Sequence, residues 1–358
     1  MNDSSKQSKR SIRYRSGSFY EGELNDENQR HGFGTLQHSC FFYEGNFADN
    51  KRDGQGKMAF SNGDQYIGSF KNNKMHGRGT MSWNNGDSYH GDFLYDQIDG
   101  EGTKCASGCS LQGTWKNGLC EGWATQKFEC GDTFEGYYEN DQRNGYGIYI
   151  WSDGTTYEGE FKDGKEHGQG TKVLSRQMGR YEGEWKFGKA DGHGSRIFVN
   201  GDHHEGMYRD GKRHGFGTYR WENGDYFEGE WSEGKISGFG LKRMANNDIF
   251  EGEWLSGMAH GSGMKAFHHG DCYVGNYQYG ERSGRGIYKY SNGDECEGMW
   301  RDGRQSGMGI YRFALSGATY EGQWKDGQLH GSGKYKVSGK VFLEYWNEGS
   351  KTSRLYIA

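Results

Sequence analysis

An aromatic-Glu-Gly-Glu-aromatic phrase returns about every 23 residues along almost the whole chain, and a period of that size is the mark of a stacked repeat architecture. It reads Tyr157-Glu158-Gly159-Glu160-Phe161 and, one period later, Tyr181-Glu182-Gly183-Glu184-Trp185. Each copy is followed by a short polar loop and a Gly-x-Gly pair, as in Lys162-Asp163-Gly164 and His167-Gly168-Gln169-Gly170. Units begin at Tyr20, Tyr43, Tyr66, Tyr89, Leu111, Phe134, Tyr157, Tyr181, His204, Phe227, Phe250, Tyr273, Cys296, Tyr320 and Phe342. These starts make fifteen units, the last incomplete.

Within the phrase, ring, glycine and ring alternate with period two, so they share one strand face while the glutamates take the other. The Asn-Gly or Asp-Gly loop supplies the positive-φ residues of a tight turn, and Gly-x-Gly opens a second short strand. Each unit is therefore a β-hairpin. One hairpin alone is marginal in water, so neighbours must stack edge to edge and bury their rings against one another. Composition agrees. Only 32% of residues are apolar, which argues against a thick core, yet 16% are aromatic, which argues against disorder. The 64 glycines come without a single proline, and glycines on the ring face leave space for aromatic side chains to lie flat across the backbone. The expected fold class is all-β, an elongated single-layer twisted ribbon of stacked antiparallel β-hairpins.

The Tyr-Glu-Gly-Glu-Trp, Lys-Asp-Gly and His-Gly-x-Gly elements resemble the MORN (membrane occupation and recognition nexus) family across residues 19–346. Elsewhere in that family the repeats are appended to lipid kinases, methyltransferases or a membrane anchor. The likeness here is greatest to all-repeat MORN scaffold proteins of the kinetoplastid and apicomplexan cytoskeleton. That resemblance implies a place in cytoskeletal complexes beneath the plasma membrane or at the flagellar pocket, with links to cell division and membrane traffic.

Three departures stand out. The fifth unit starts at Leu111 and has Gly122-Trp123-Ala124 in place of Gly-x-Gly. The link before it reads Cys105-Ala106-Ser107-Gly108-Cys109, and the last unit has Glu344 at a glycine position.

Catalysis is not expected. The glutamates occupy outward strand positions, and pairs such as Gly32-Phe33-Gly34 and Gly215-Phe216-Gly217 lack the strand-to-helix context of a phosphate loop. Histidines His31, His76, His167, His214, His260 and His330 recur at one repeat position, too far apart to share a metal ion. Cys105, Cys109, Cys120 and Cys130 form the tightest thiol group, but their C-x3-C-x10-C-x9-C spacing matches no zinc finger. Buried thiols are the reading, zinc the alternative, and no cofactor is expected. The formal charge of −5 is too small to draw nucleic acid. No apolar run is long enough for a membrane helix or a signal peptide, so a soluble cytoplasmic protein is expected.

Charge is arranged locally. The turns carry Lys71, Lys74, Lys162, Lys165, Lys186, Lys189, Arg209, Lys212 and Arg213, candidate contacts for anionic phospholipid headgroups. The links carry Asp64, Asp87, Asp132, Asp153, Asp202, Asp225, Asp248, Asp271 and Asp294. Three segments are expected: a basic, Ser-rich flexible tail at 1–18 with Lys6, Lys9, Arg10, Arg13 and Arg15, the repeats at 19–346, and a C-terminal edge at 347–358. An open strand edge is a pairing surface. The C-terminal one, with Phe342, Tyr345, Trp346, Leu355, Tyr356 and Ile357, is expected to join two copies into a homodimer. The leading functional expectation is a non-enzymatic scaffold for cytoskeletal proteins. The alternatives are a phosphoinositide-binding module and a regulatory subunit that positions an enzyme.

Overall fold

A computed structural model describes residues 10–175 and 179–358 of the chain. The protein divides into two compact units, residues 1–177 and 178–358. The first holds fifteen described strands, from Arg10–Arg13 to Lys165–Val173, and the second sixteen, from Arg180–Lys186 to Ser350–Tyr356. Within each unit every strand pairs antiparallel with its sequence neighbours, giving a single-layer all-β sheet of successive hairpins. No α-helix occurs among the described residues.

A single layer has no opposing sheet to shield its rings, and two features of the repeat replace one. The first is a row of glycines crossing the strands. Gly147, Gly159 and Gly170 stand opposite one another, and the same row continues through the unit. Tyr157 lies flat over this row: a Cβ on Gly170 would sit 2.5 Å from the tyrosine Cζ, and one on Gly159 2.5 Å from the Gly170 Cα. No L side chain fits there without displacing backbone. The covering ring comes from the same hairpin as the glycines beneath it, rather than from a neighbouring one.

The second feature is interleaving of the rings. Phe47 packs edge-to-face against Tyr43 of its own hairpin and Tyr20 of the preceding one, at 5.1 and 5.2 Å. Phe70 repeats the arrangement with Tyr66 and Tyr43. In the second unit Trp254 lies between Phe250 and Phe227. Each such pair contributes about 0.5–1.5 kcal/mol beyond its burial. At Trp115, Trp231, Trp254 and Trp300 the indole also donates to a platform glycine of the previous hairpin, Trp254 to the Gly240 carbonyl at 3.0 Å.

The two glycines of Gly-x-Gly do different work. Gly170 is platform, whereas Gly168 has φ of 56° and accompanies a register shift between Gly159 and Glu160. This bulge frees carbonyls, and the Tyr157 hydroxyl donates to those of Glu160 (2.9 Å) and His167 (3.2 Å). Tyr20, Tyr43 and Tyr66 make the equivalent bond three residues on. Burial pushes the Tyr20 phenol up to about 12, so it stays a donor at neutral pH.

The departures resolve within the same frame. Ala124 takes a platform position opposite Gly113, and its methyl occupies space that a tyrosine at 111 would need; Leu111 is short enough to leave it. The irregular link closes as a two-residue turn, Ser107 and Gly108, both at positive φ. At the ends, residues 10–13 of the expected tail pair with Phe19–Leu24, while Lys6 and Lys9 lie outside the described residues. The last unit, expected to be incomplete, is closed by Ser350–Tyr356 pairing with Lys340–Asn347. That strand has no glycine signature, so pattern reading passes it over. Glu344, 2% exposed, ends the glycine row with Lys351 and Arg354 each 3.4 Å from its carboxylate.

Candidate interaction surfaces

The turn rim follows from two-residue turns whose central residues both have positive φ, such as Asp163 at 50° and Gly164 at 76°. Tyr95, Phe187 and Tyr279 hold the same left-handed position, which sequence reasoning reserves for glycine, asparagine and aspartate. Tyr95 and Tyr279 are braced by the histidine column, His76 ring to Tyr95 ring at 4.7 Å and His260 to Tyr279 at 5.7 Å. Those histidines therefore prop neighbouring turns.

The turn geometry brings the candidate cations together in pairs. Lys71 stands opposite Lys74, Lys162 opposite Lys165, Lys186 opposite Lys189, and Arg209 opposite Lys212. Like charges in register repel. Acids on the following turn offset this, with Lys189 at 3.2 Å from Asp210 and Lys212 paired to Glu233. Arg213 stands apart. Its guanidinium lies 4.1 Å from the Trp231 ring centre and donates to the Gly234 carbonyl at 2.9 Å. Arg143 and Arg282 do the same one turn ahead, donating to Gly164 and Gly303. Of this column only Arg213 stands among the expected rim cations; recurrence of arginine just before the Gly-x-Gly element is the signal that joins Arg143 and Arg282 to it.

The link aspartates are structural ties. Asp202 accepts from the Glu222 N–H at 2.9 Å and from the Tyr219 hydroxyl at 2.6 Å; Asp271 and Asp294 do likewise with Ser291 and Tyr288, and with Ala314 and Tyr311. Asp64, Asp132, Asp225 and Asp248 also accept from the next link's backbone. Burial alone would raise Asp248, but bonds from the His268 N–H and ring, with Lys265 nearby, hold its carboxyl down at about 2. Asp87 and Asp153 bond within their own loops.

His204 replaces the usual tyrosine and is fully buried. Its Nδ1 shares a 2.9 Å hydrogen bond with the Tyr208 hydroxyl, and its Nε2 has no partner among the described residues. Burial, then Arg213, push its pKa down to about 3, so the ring is neutral at physiological pH. Cys296 fills the same position in another hairpin, its thiol donating to Gln305 at 2.6 Å while the Gln305 amide covers Gly309.

Cys120 is buried on the ring face, Cys109 is half-buried, and Cys105 and Cys130 are exposed. Among the described residues no three of His, Cys, Asp and Glu gather around a metal-sized space. At the C-terminal edge Leu355, Tyr356, Ile357 and Tyr345 are exposed, whereas Phe342 and Trp346 are partly covered on the ring face. Phe342 lies under the Arg354 guanidinium at 3.8 Å, and Trp346 packs against Tyr320.

The model of the MORN repeat matches fourteen stretches: 20–39, 43–65, 66–88, 89–110, 112–122, 134–156, 157–175, 181–203, 204–226, 227–249, 250–271, 273–295, 296–314 and 320–339. No curated protein matches the chain. Among solved structures, similarity is found to the SAS-4 TCP domain of Drosophila melanogaster in complex with a proline-rich motif of Ana2. It has 11% identity, 51% of this chain and 85% of that one covered, and a TM-score of 0.27. The TCP10 domain of Danio rerio CPAP shows 10% identity, 68% and 94% coverage, and a TM-score of 0.20. A streptogramin B lyase shows 12% identity, 83% and 91% coverage, and a TM-score of 0.14. These superpositions are too poor to bear on function. No helix among the described residues is long and apolar enough to cross a membrane.

Proposed function

From the premise that this chain belongs to the MORN-repeat family, we propose that it is a non-enzymatic scaffold of a membrane-proximal cytoskeletal complex. Two copies join through their C-terminal hairpins and present repeated surfaces to partner proteins, in cell division or membrane traffic. The observation that carries this reading is the edge strand Ser350–Tyr356, which pairs with Lys340–Asn347 and no other strand among the described residues and exposes Leu355 and Tyr356 at 60% and 61%. Unpaired edges with apolar side chains are pairing surfaces, and a two-fold joint closes on itself. Light scattering on the full chain, on a chain ending at Gly293 and on the Leu355→Glu, Tyr356→Glu chain tests it. A dimer mass that falls to monomer in both altered chains supports the reading. A mass unchanged by either refutes it.

The second reading, an anionic-phospholipid module, is favoured by the cation pairs on consecutive turns at Lys186/Lys189 and Arg209/Lys212. Sedimentation with vesicles containing phosphoinositide, lost above about 0.5 M salt and in a Lys186→Glu, Lys189→Glu, Lys212→Glu chain, would support it. Vesicle binding indifferent to salt and to those changes would remove it.

A further inference from the structure

Each hairpin has an outer face, opposite the rings, whose side chains do not take part in the glycine and ring packing. In the first unit one row across this face reads Glu44, Lys57, Ile67, Thr80, His90, Thr103, Gln112, Thr125, Glu135, Ile148, Glu158 and Thr171, polar but for two separated isoleucines. The corresponding row in the second unit reads Leu241, Glu251, Met264, Val274, Ile287, Glu297, Ile310 and Glu321. Met264 and Val274 are 40% and 47% exposed, and Met299 and Met308 alongside them 48% and 57%. The fold asks for none of these, since the same backbone stands with threonine and glutamine in the first unit. An apolar band on an exposed face, broken only at Glu297, marks an interaction site.

The charges around the band select what covers it. Glu297, inside the band, is neutralised by Arg285 at 3.0 Å and Arg312 at 3.2 Å. Glu251 and Glu321, at its two ends, have neither an ion pair nor a hydrogen-bond partner among the described residues. Beside Glu321, Met299, Met308 and Ile310 line an open cavity over Gly298 and Gly309, wide enough for one large apolar side chain. From the strand of Glu251 to that of Glu321 there are six interstrand steps, about 29 Å at 4.8 Å each. A helix of about 19 residues spans that distance at 1.5 Å per residue.

We propose that this outer face, between Glu251 and Glu321, docks an amphipathic helix of a partner protein. Its apolar stripe lies on Met264, Val274, Ile287 and Met308, and its lysines or arginines at both ends meet the two unpaired glutamates. The proposal rests on the scaffold reading and names the surface and the partner chemistry within it. Methionine suits such a site because its unbranched, polarizable chain adapts to the helix that arrives.

The test uses the full chain and two labelled 20-residue helical peptides with one leucine face, the first with lysines at both ends and the second with glutamates there. Fluorescence anisotropy is expected to show the lysine peptide binding at least tenfold tighter. Val274→Asp with Met308→Asp should weaken it at least tenfold without moving the thermal melt, since both side chains face solvent. Glu251→Lys with Glu321→Lys should reverse the preference between the peptides. Equal binding to the Val274→Asp, Met308→Asp chain, or an unreversed preference, overturns the proposal. So does a fall from dimer to monomer in that chain without peptide, because a second copy would then be the occupant. Loss of the dimer on changing Leu355 and Tyr356 alone bears on the scaffold joint and not on this face.

Discussion

The hairpin that begins at Tyr157 and the one that begins at Leu111 lie in the same unit and solve the same packing problem with different volumes. In the first, a large ring covers two glycines; in the second, a smaller leucine leaves space for the methyl of Ala124 opposite Gly113. The difference shows that the repeat conserves the combined volume above its platform and not the identity of either partner. The second unit adds two more solutions, His204 over Gly217 and the Cys296–Gln305 pair over Gly309.

Transplanting one solution into the other hairpin breaks the comparison most directly. Gly170→Ala puts a Cβ against the Tyr157 ring and should cost about 3 kcal/mol by urea unfolding, at the upper end of overpacking effects. In a Tyr157→Leu background the same change should cost under about 1 kcal/mol, and equal costs in both backgrounds would show that volume is not what is shared.

His204 sharpens the comparison through pH. Its folded pKa, near 3, lies below the ordinary 6.5, so beneath that value the unfolded chain takes up a proton that the folded one refuses. Stability is therefore full above pH 6.5 and lost as pH falls toward 3. Between pH 7 and 5 the wild type should lose about 2 kcal/mol more than a His204→Phe chain, at about 1.4 kcal/mol per pH unit. Parallel pH profiles for the two would show that the ring is hydrated or paired.

The reverse transplant is smaller. Leu111→Tyr alone should destabilise, whereas Leu111→Tyr with Ala124→Gly should recover about 1.5 kcal/mol in a double-mutant cycle. Smallest of all, Tyr157→Phe should cost about 1 kcal/mol, the net worth of its hydroxyl bonds, leaving the ring where Phe134 already sits in its own hairpin.

The period, the hairpins and the ring-glycine face were legible in the sequence because strand alternation and turn chemistry are local. What stacking creates was not. Arg213 reads as a rim charge, and Arg143 and Arg282 carry no local signal, until the next turn's carbonyl and the neighbouring rings are in place. The link aspartates read as an acidic line, yet all but Asp87 and Asp153 accept from backbone groups 20 residues further on. Ser350–Tyr356 carries no repeat signature because it contributes no glycine to the platform row, and only its pairing with Lys340–Asn347 reveals it as a strand. The C-terminal and turn-rim candidates were found by composition, and the outer-face band was missed because its methionines and isoleucines are scattered in sequence and adjoin only through register.

The aspartate ties reach one repeat forward and no further. A recombination event that deleted or duplicated one 23-residue unit within either sheet would rejoin an aspartate to a backbone donor of the same kind and a ring to a ring of the same kind. Length in such a protein is therefore heritable in whole steps at little structural cost. The fifth unit, with its paired Leu111 and Ala124, and the closing unit, with Glu344 held between Lys351 and Arg354, are the places where such a splice would leave a scar.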